Sequence, residues 1–394
     1  MSKIKAQLQV FNAGRLPEMV KLKYEAMAEN AFRFFRGTCH LFYAQLSKLK
    51  IPKSPVVWIC GDLHLENFGS YKADNKLVYF DLNDFDEAML APALWEVLRL
   101  LASVFIAFDS LSIGDDQAMN MVLLFVKSYS GTLKSGKALD VDPRTAKGIV
   151  RNFLTNAEEG SYSEILEKRT DLSRDRMTLS LEHEKHFKID KNLKKELKTH
   201  MEAWISTSSD GPYNYKVKDV VFRLAGTGSL GVKRYLFLLK SRNTKGRFLL
   251  VEMKQCLASS LLPFNKIKQP AWENDAERVI AIQKRMQHKS ASLLSTTSFG
   301  GDHYLIQELQ PVKDTLAFKM IRDNYRDIYQ VIDDMAVLTA SSQLRSGGMG
   351  GSATIDELMA FGCSQDEWQQ EVIKTARLLA SESMEDYQEF LKDK

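Results

Sequence analysis

Asp62 and Asn67 stand five positions apart in Gly61-Asp62-Leu63-His64-Leu65-Glu66-Asn67, and their side chains suit one kind of chemistry. A carboxylate can orient or deprotonate an accepting hydroxyl, while carboxylate and amide oxygens can hold Mg²⁺ on nucleotide phosphates. Together they point to phosphoryl transfer. Asp84, in Asp81-Leu82-Asn83-Asp84-Phe85-Asp86-Glu87, is the expected second metal ligand, with Asp81 and Asp86 as rivals. Taken singly, each acid reads as a turn former or a cap. Taken together, with apolar runs on both sides, they read as a site.

The elements that must position them are short. Val56-Val57-Trp58-Ile59 reads as a strand entering the first loop, 72–76 as a turn, and 77–80 as a second strand entering the second loop. This small hairpin is expected to present Asp62 and Asn67 from one end and Asp84 from the other.

The chain has 394 residues, 44% hydrophobic and 26% charged, enough for two or three core-forming units. The net charge is only +4, and no long basic block interleaved with aromatics stands out, so nucleic acid is not the expected partner. The four cysteines (Cys39, Cys60, Cys256, Cys363) lie far apart, which argues against a disulfide frame or a zinc ribbon and fits a reducing cytoplasm. The N-terminal residues lack the long apolar core of a signal peptide. The longest apolar stretch, 91–108, contains Glu96 and Arg99 and reads as a buried helix rather than a membrane span.

Helical patterning covers 16–49 (interrupted at Arg36-Gly37), 93–108 behind Pro92, 117–130, 143–157, 162–168 and 192–205. His183 and His186 do not form a metal motif, and 188–198 reads as a solvated basic face. Composition shifts at 206–215, and strands are expected at 217–225, 232–239 and 247–254. Between the first two lies Gly226-Thr227-Gly228-Ser229-Leu230-Gly231. Followed by a strand rather than a helix, it is a poor dinucleotide motif but a good phosphate-covering hairpin, since glycine lets backbone amides approach closely. Lys254 ends the third strand, where it could hold ATP phosphates, and a helix over 272–287 offers Glu273 or Glu277 as its ion-pair partner, with Glu277 preferred by position. A strand over 303–309 leads through Glu308 and Leu309 into Gln310-Pro311, an expected hinge offering backbone groups to an adenine. The 323–344 segment reads as a helix, 346–352 as a flexible glycine linker, and 355–391 as two closing helices.

These pieces resemble a protein kinase whose order along the chain has changed, with the catalytic and metal loops ahead of the glycine-rich hairpin. The run Gly61 to Asn67, with Asp84-Phe85-Asp86-Glu87-Ala88, is similar to the G-D-x-H-x-x-N and D-F-x-x-A signatures of aminoglycoside-phosphotransferase-type kinases. Glu96 stands where that family usually has Asp. The chain resembles more closely still an uncharacterised bacterial group, the domain-of-unknown-function family twenty-two fifty-two. The shared pieces are Phe35-Arg36-Gly37, the two site loops, the glycine loop, Val251-Glu252-Met253-Lys254, Arg278-Val279 and Arg345-Ser346-Gly347. It departs at Ser341-Ser342-Gln343-Leu344, where that group carries an Ala-His-Ala-Arg run.

The resemblance implies an α+β, protein-kinase-like two-lobe fold, circularly permuted. Residues 1–212 would form a helical lobe with the catalytic and metal loops, 213–312 a small β lobe, and 313–394 helices completing the first. It implies ATP and Mg²⁺ as cofactors and transfer of the γ-phosphoryl group to a hydroxyl of a small molecule or protein. Asp62 would be the base, Asn67 and Asp84 the metal ligands, His64 a support for the loop, and Lys254 the phosphate-binding cation. A nucleotide (AMP) transferase and a silent ATP-binding regulator are the alternatives on the same fold.

Overall fold

The structure is a computed structural model describing residues 3–160, 162–173, 176–309 and 318–392. Among them are fourteen α-helices and small antiparallel sheets, an α+β arrangement. Helices α1 (Lys3–Asn12), α2 (Pro17–Met27), α3 (Ala31–Gly37) and α4 (Cys39–Leu46) come first. Four short strands follow, β1 (Val56–Ile59), β2 (Phe68–Lys72), β3 (Val78–Leu82) and β4 (Met89–Pro92). The hairpin expected between 56–59 and 77–80 does not form. Instead β1 pairs with β4, which follows the second loop, and β2 pairs with β3 across the tight turn. Each site loop thus leaves one ladder and enters the other, which fixes both loops at two ends.

Next come α5 (Ala93–Ser110), α6 (Asp115–Ser135), α7 (Gly148–Glu159) and α8 (Tyr162–Arg169). Every residue of α5 from Ala93 to Phe108 is buried, Glu96 and Arg99 included, as its apolar sequence requires. It is the core helix of the larger unit, with α14 and α6 packed on it. No helix among the described residues is long and apolar enough to cross a membrane. α7 begins later than expected because Asp142 accepts from the backbone N–H groups of Arg144 and Thr145 and makes a turn there.

The chain then builds a sheet. After β5 (Thr170–Ser173), β6 (Arg176–Leu179), β7 (His186–Phe187) and α9 (Lys191–Thr207) come β8 (Tyr215–Arg223), β9 (Arg234–Ser241), β10 (Phe248–Gln255), α10 (Asp275–Met286), β11 (Ser295–Phe299) and β12 (Asp302–Glu308). The six-stranded order is β11-β12-β10-β9-β8-β7, every neighbour antiparallel. Alternation sorts the residues by face. Phe222, Phe237, Val251 and Met253 pack on Leu197, Met201 and Trp204 of α9. Val221, Leu236, Leu238 and Leu250 pack on Leu179 of β6 and on α8. The segment from α8 to α9, assigned from sequence to 1–212, therefore packs on the sheet. α9 buries its apolar stripe there, and its basic side pairs Lys194 with Asp219 at 2.5 Å. His186 is buried, its Nδ1 2.8 Å from the Ser180 carbonyl oxygen.

Helices α11 (Phe318–Ile321), α12 (Tyr325–Arg345), α13 (Ile355–Cys363) and α14 (Gln365–Lys392) return to the larger unit. The glycine cluster before α13 is a packed turn rather than a free linker. Trp58 Nε1–H donates to the Met349 carbonyl at 2.7 Å, and a Cβ at Gly350 would stand 3.2 Å from the Trp58 ring. The expected hinge at Gln310-Pro311 and the boundary at 312 lie outside the described residues.

Candidate active site

The loop carrying Asp62 hangs from one face of α5. Glu96, Arg99 and Ser103 follow the three-and-four spacing that aligns side chains along a helix. Glu96 Oε1 accepts from Cys60 N–H at 2.7 Å, and the Ser103 hydroxyl accepts from Leu65 N–H at 3.3 Å. Between them Arg99 donates to Asp62 Oδ1 from Nε at 3.0 Å and from Nη2 at 2.7 Å. Arg99 is fully buried and lies 3.5 Å from the centre of the Phe35 ring. Glu96 in turn takes a 3.2 Å hydrogen bond from Gln343, which also accepts from the Tyr129 hydroxyl. Burial pushes the Asp62 carboxyl above its ordinary range, and the Arg99 charge opposes that rise. His64 Nδ1 accepts from Glu66 N–H, supporting the loop as expected. The Asn67 amide nitrogen donates to the Asp62 carbonyl, while its amide oxygen has no hydrogen bond among the described residues.

The second loop is held from the sheet side. Lys254 Nζ stands 2.5 Å from Asp86 Oδ2 and 3.6 Å from Asp84 Oδ1. Arg278 of α10 reaches the carbonyls of Ala88, Asp86 and Leu257 at 2.6–2.9 Å. Glu87 accepts from Ser260 N–H and the Ser259 hydroxyl, and its own backbone carbonyl would lie 2.4 Å from any Cβ at Gly61, where φ is +88°. Only glycine lets the two loops approach so closely. Burial raises the Asp84 carboxyl, and Asp86 beside it adds to the rise. Asp86 Oδ1 is buried without a hydrogen-bond partner among the described residues. Among those residues no three His, Cys, Asp or Glu side chains form a cage for a metal. Mg²⁺ rarely needs one: a carboxylate or two suffices when phosphates and waters complete the shell. The Asp84 carboxylate, the orphaned Asp86 Oδ1 and the Asn67 amide oxygen are hard donors of that kind.

The glycine loop faces these acids. Arg15, between α1 and α2, donates from Nη1 to the carbonyls of Gly228 (2.6 Å) and Leu230 (2.8 Å). Leu16 N–H donates to the Gly231 carbonyl at 3.0 Å. The loop's carbonyls are thus tied back, whereas the N–H groups of Gly226, Thr227, Gly228, Ser229 and Gly231 have no acceptor among the described residues. Free amides in a row are what an anionic oxygen binds. Gly226, Thr227, Gly228 and Ser229 line a cavity of about 700 Å³ together with Asp62, Asn67, Asp84 and Asp86.

The remaining expected residues have other uses. Asp81 is buried in β3 and pairs with Arg345 at 3.0 Å, away from the cavity. Glu277 does not pair with Lys254. Asn274 caps α10 by accepting from Glu277 N–H, and the Glu277 carboxylate turns back to Glu273 N–H at 2.7 Å. The N–H groups of Glu308 and Leu309 are spent on the carbonyls of Ser292 and Leu250, and neither residue lines the cavity. Conversely, Arg99, Arg15 and Glu87 belong to the site and were not singled out for it. The signal for Arg99 was present: a charge inside an otherwise apolar run is seldom buried without a partner.

The sequence profile of a family described as uncharacterized protein conserved in bacteria, DUF2252, matches residues 15–393. The chain belongs to that family. The match takes in both site loops, the glycine loop and Lys254, while Ala6, Gln7, Val10 and Phe11 of the cavity lining precede it. No curated protein and no solved structure matches the chain.

Proposed function

We propose that this DUF2252 protein is an ATP-dependent phosphotransferase with a circularly permuted, protein-kinase-like two-lobe fold. One observation carries the reading: the unpaired amides of the glycine loop and the oxygens of Asp62, Asn67 and Asp84 border one cavity, although about 160 residues of chain separate them. The strand order β8, glycine loop, β9, β10 with Lys254, then α10, supports the same reading, with the catalytic and metal loops earlier in the chain.

The free amides of the glycine loop would hold the phosphates of ATP. Asn67, Asp84 and Asp86 would hold Mg²⁺, which when bound neutralises the charge gathering on the transferred group. Lys254, paired with both acids of the second loop, keeps their oxygens in place and adds a positive charge behind the phosphates. Asp62 takes the proton of the accepting hydroxyl. Its raised carboxyl makes it a better proton acceptor than an ordinary aspartate, and Arg99 fixes its direction. Most of the barrier lowering then comes from alignment and charge, as phosphoryl transfer requires.

Purified protein incubated with Mg²⁺ and ATP labelled at the α and γ phosphates tests the reading. Transfer of the γ label is expected. Transfer of the α label would make the protein an AMP transferase, and transfer of neither would leave a nucleotide-binding regulator.

A further inference from the structure

The cavity lining is of two kinds. Its polar part comprises the acids and the glycine loop described above. Its apolar part, the apolar half, comprises Val10 and Phe11 of α1, Leu41 and Ala44 of α4, and Pro263 and Phe264 beyond β10. Apolar side chains continue to the mouth, where Val10 is 79% and Leu257 40% exposed. Ligand cavities are lined largely by apolar side chains with a few polar groups that fix orientation.

The polar groups near this half narrow what it takes. His40 stacks on Phe11 with ring centroids 3.8 Å apart, and both its ring nitrogens are buried without a partner among the described residues. Burial, with help from Lys23 and Arg15, holds its pKa down to about 3, so the ring is neutral and can exchange a hydrogen bond with an uncharged group. The two basic residues in the lining are already committed, Arg15 to the carbonyls of Gly228 and Leu230 and Arg36 to the Glu66 carboxylate. Asp62 is paired with Arg99, and Asp84 and Asp86 with Lys254, so these neighbouring cations are committed too. An anionic body would find no free cation, and a sugar would leave its hydroxyls unpaired against the apolar side chains.

We propose that the apolar half holds the body of the phosphate acceptor, an uncharged alcohol or phenol with a hydrophobic skeleton whose hydroxyl reaches Asp62. The proposal rests on the phosphotransferase reading. In the step, the acceptor oxygen bonds to the γ phosphorus, the bond from that phosphorus to the bridging oxygen breaks, ADP leaves, and the hydroxyl proton passes to Asp62.

The full chain and 2-naphthol, whose fluorescence responds to an apolar site, provide the test. Saturable binding is expected, displaced by n-alkanols whose affinity rises about fourfold per methylene until the chamber is filled. Val10→Asp, on an exposed position that tolerates a charge, lowers 2-naphthol affinity tenfold or more, and Phe264→Asp, from a separate segment of the lining, does the same. Affinity for Mg²⁺–ATP stays within twofold in both, and γ label appears as 2-naphthyl phosphate with the parent protein. Unchanged 2-naphthol affinity in both variants overturns the assignment, as does competitive displacement by adenosine, which would put the nucleobase in the chamber. Binding of Mg²⁺–ATP without binding of 2-naphthol sinks the acceptor class alone. Binding of 2-naphthol without Mg²⁺–ATP sinks the phosphotransferase reading and leaves a site for an apolar ligand.

Discussion

Arg99, fully buried on α5, holds a single oxygen of Asp62 with two donors, at 2.7 and 3.0 Å. The pair joins the core helix to the loop that would do the chemistry, so packing of α5 sets the direction of the carboxylate.

Breaking that pair should cost both stability and activity. Arg99→Ala leaves Asp62 without its cation and is expected to destabilise the protein by about 3–5 kcal/mol, the usual range for a broken buried pair. Arg99→Lys keeps the charge with fewer donors and should retain part of the activity. Arg99 opposes the upward shift of Asp62, so weakening it raises that pKa further. The acid limb of the pH–rate profile should therefore move to higher pH in Arg99→Lys. A limb that stays put would remove Arg99 from its positioning role.

Lys254 neutralises Asp84 and Asp86 together. Lys254→Met should leave two like charges adjacent and lower Mg²⁺–ATP affinity tenfold or more, measured by calorimetry. Asp84→Asn should instead raise the Mg²⁺ concentration needed for half-maximal transfer at saturating ATP.

Gly231 has φ +90°, and an added Cβ would stand 2.8 Å from the Arg15 Cβ. Gly231→Ala should strain the loop by about 1–3 kcal/mol and weaken nucleotide binding while thermal unfolding shifts little. Arg15→Ala, which releases the Gly228 and Leu230 carbonyls, should weaken nucleotide binding as well. Equal Mg²⁺–ATP affinity in all three proteins would separate the loop from phosphate binding.

The sheet's inner face carries an Arg223–Glu252–Arg234 cluster, all three residues buried. Burial alone would raise the Glu252 carboxyl, but Arg234 and Arg223 overcome it and pull the pKa down to about 2. A folded pKa below the unfolded one adds stability above about pH 4.3 and loses it as pH falls toward 2. Glu252→Gln should unfold more readily at pH 7 than the parent, and the difference should shrink between pH 4 and pH 2. A constant difference would mean that the cluster carries no charge-dependent stability.

Local chemistry in the chain is what sequence reading recovered. Asp62 and Asn67 sit within one loop, Gly226 to Gly231 within another, and the buried α5 announces itself by composition. What it missed depends on partners brought from afar. Arg15 meets the glycine loop across 213 residues, and Gln343 meets Glu96 across 247. Nothing in a short window encodes either meeting. The pairing of β1 with β4 went unread because both are four-residue apolar strands that suit several partners. Glu277 was a different failure: Asn274 three residues before it is a helix-start signature, and a glutamate in that position is drawn back to the backbone rather than outward to a lysine.

Single-turnover transfer of γ-labelled phosphate, measured beside Mg²⁺–ATP affinity in the parent and in Asp62→Asn, addresses the central claim most directly. The account predicts that affinity stays within a few fold while transfer falls by about 10²–10⁴. Full transfer by Asp62→Asn, or no transfer by the parent with any hydroxyl acceptor, would contradict it.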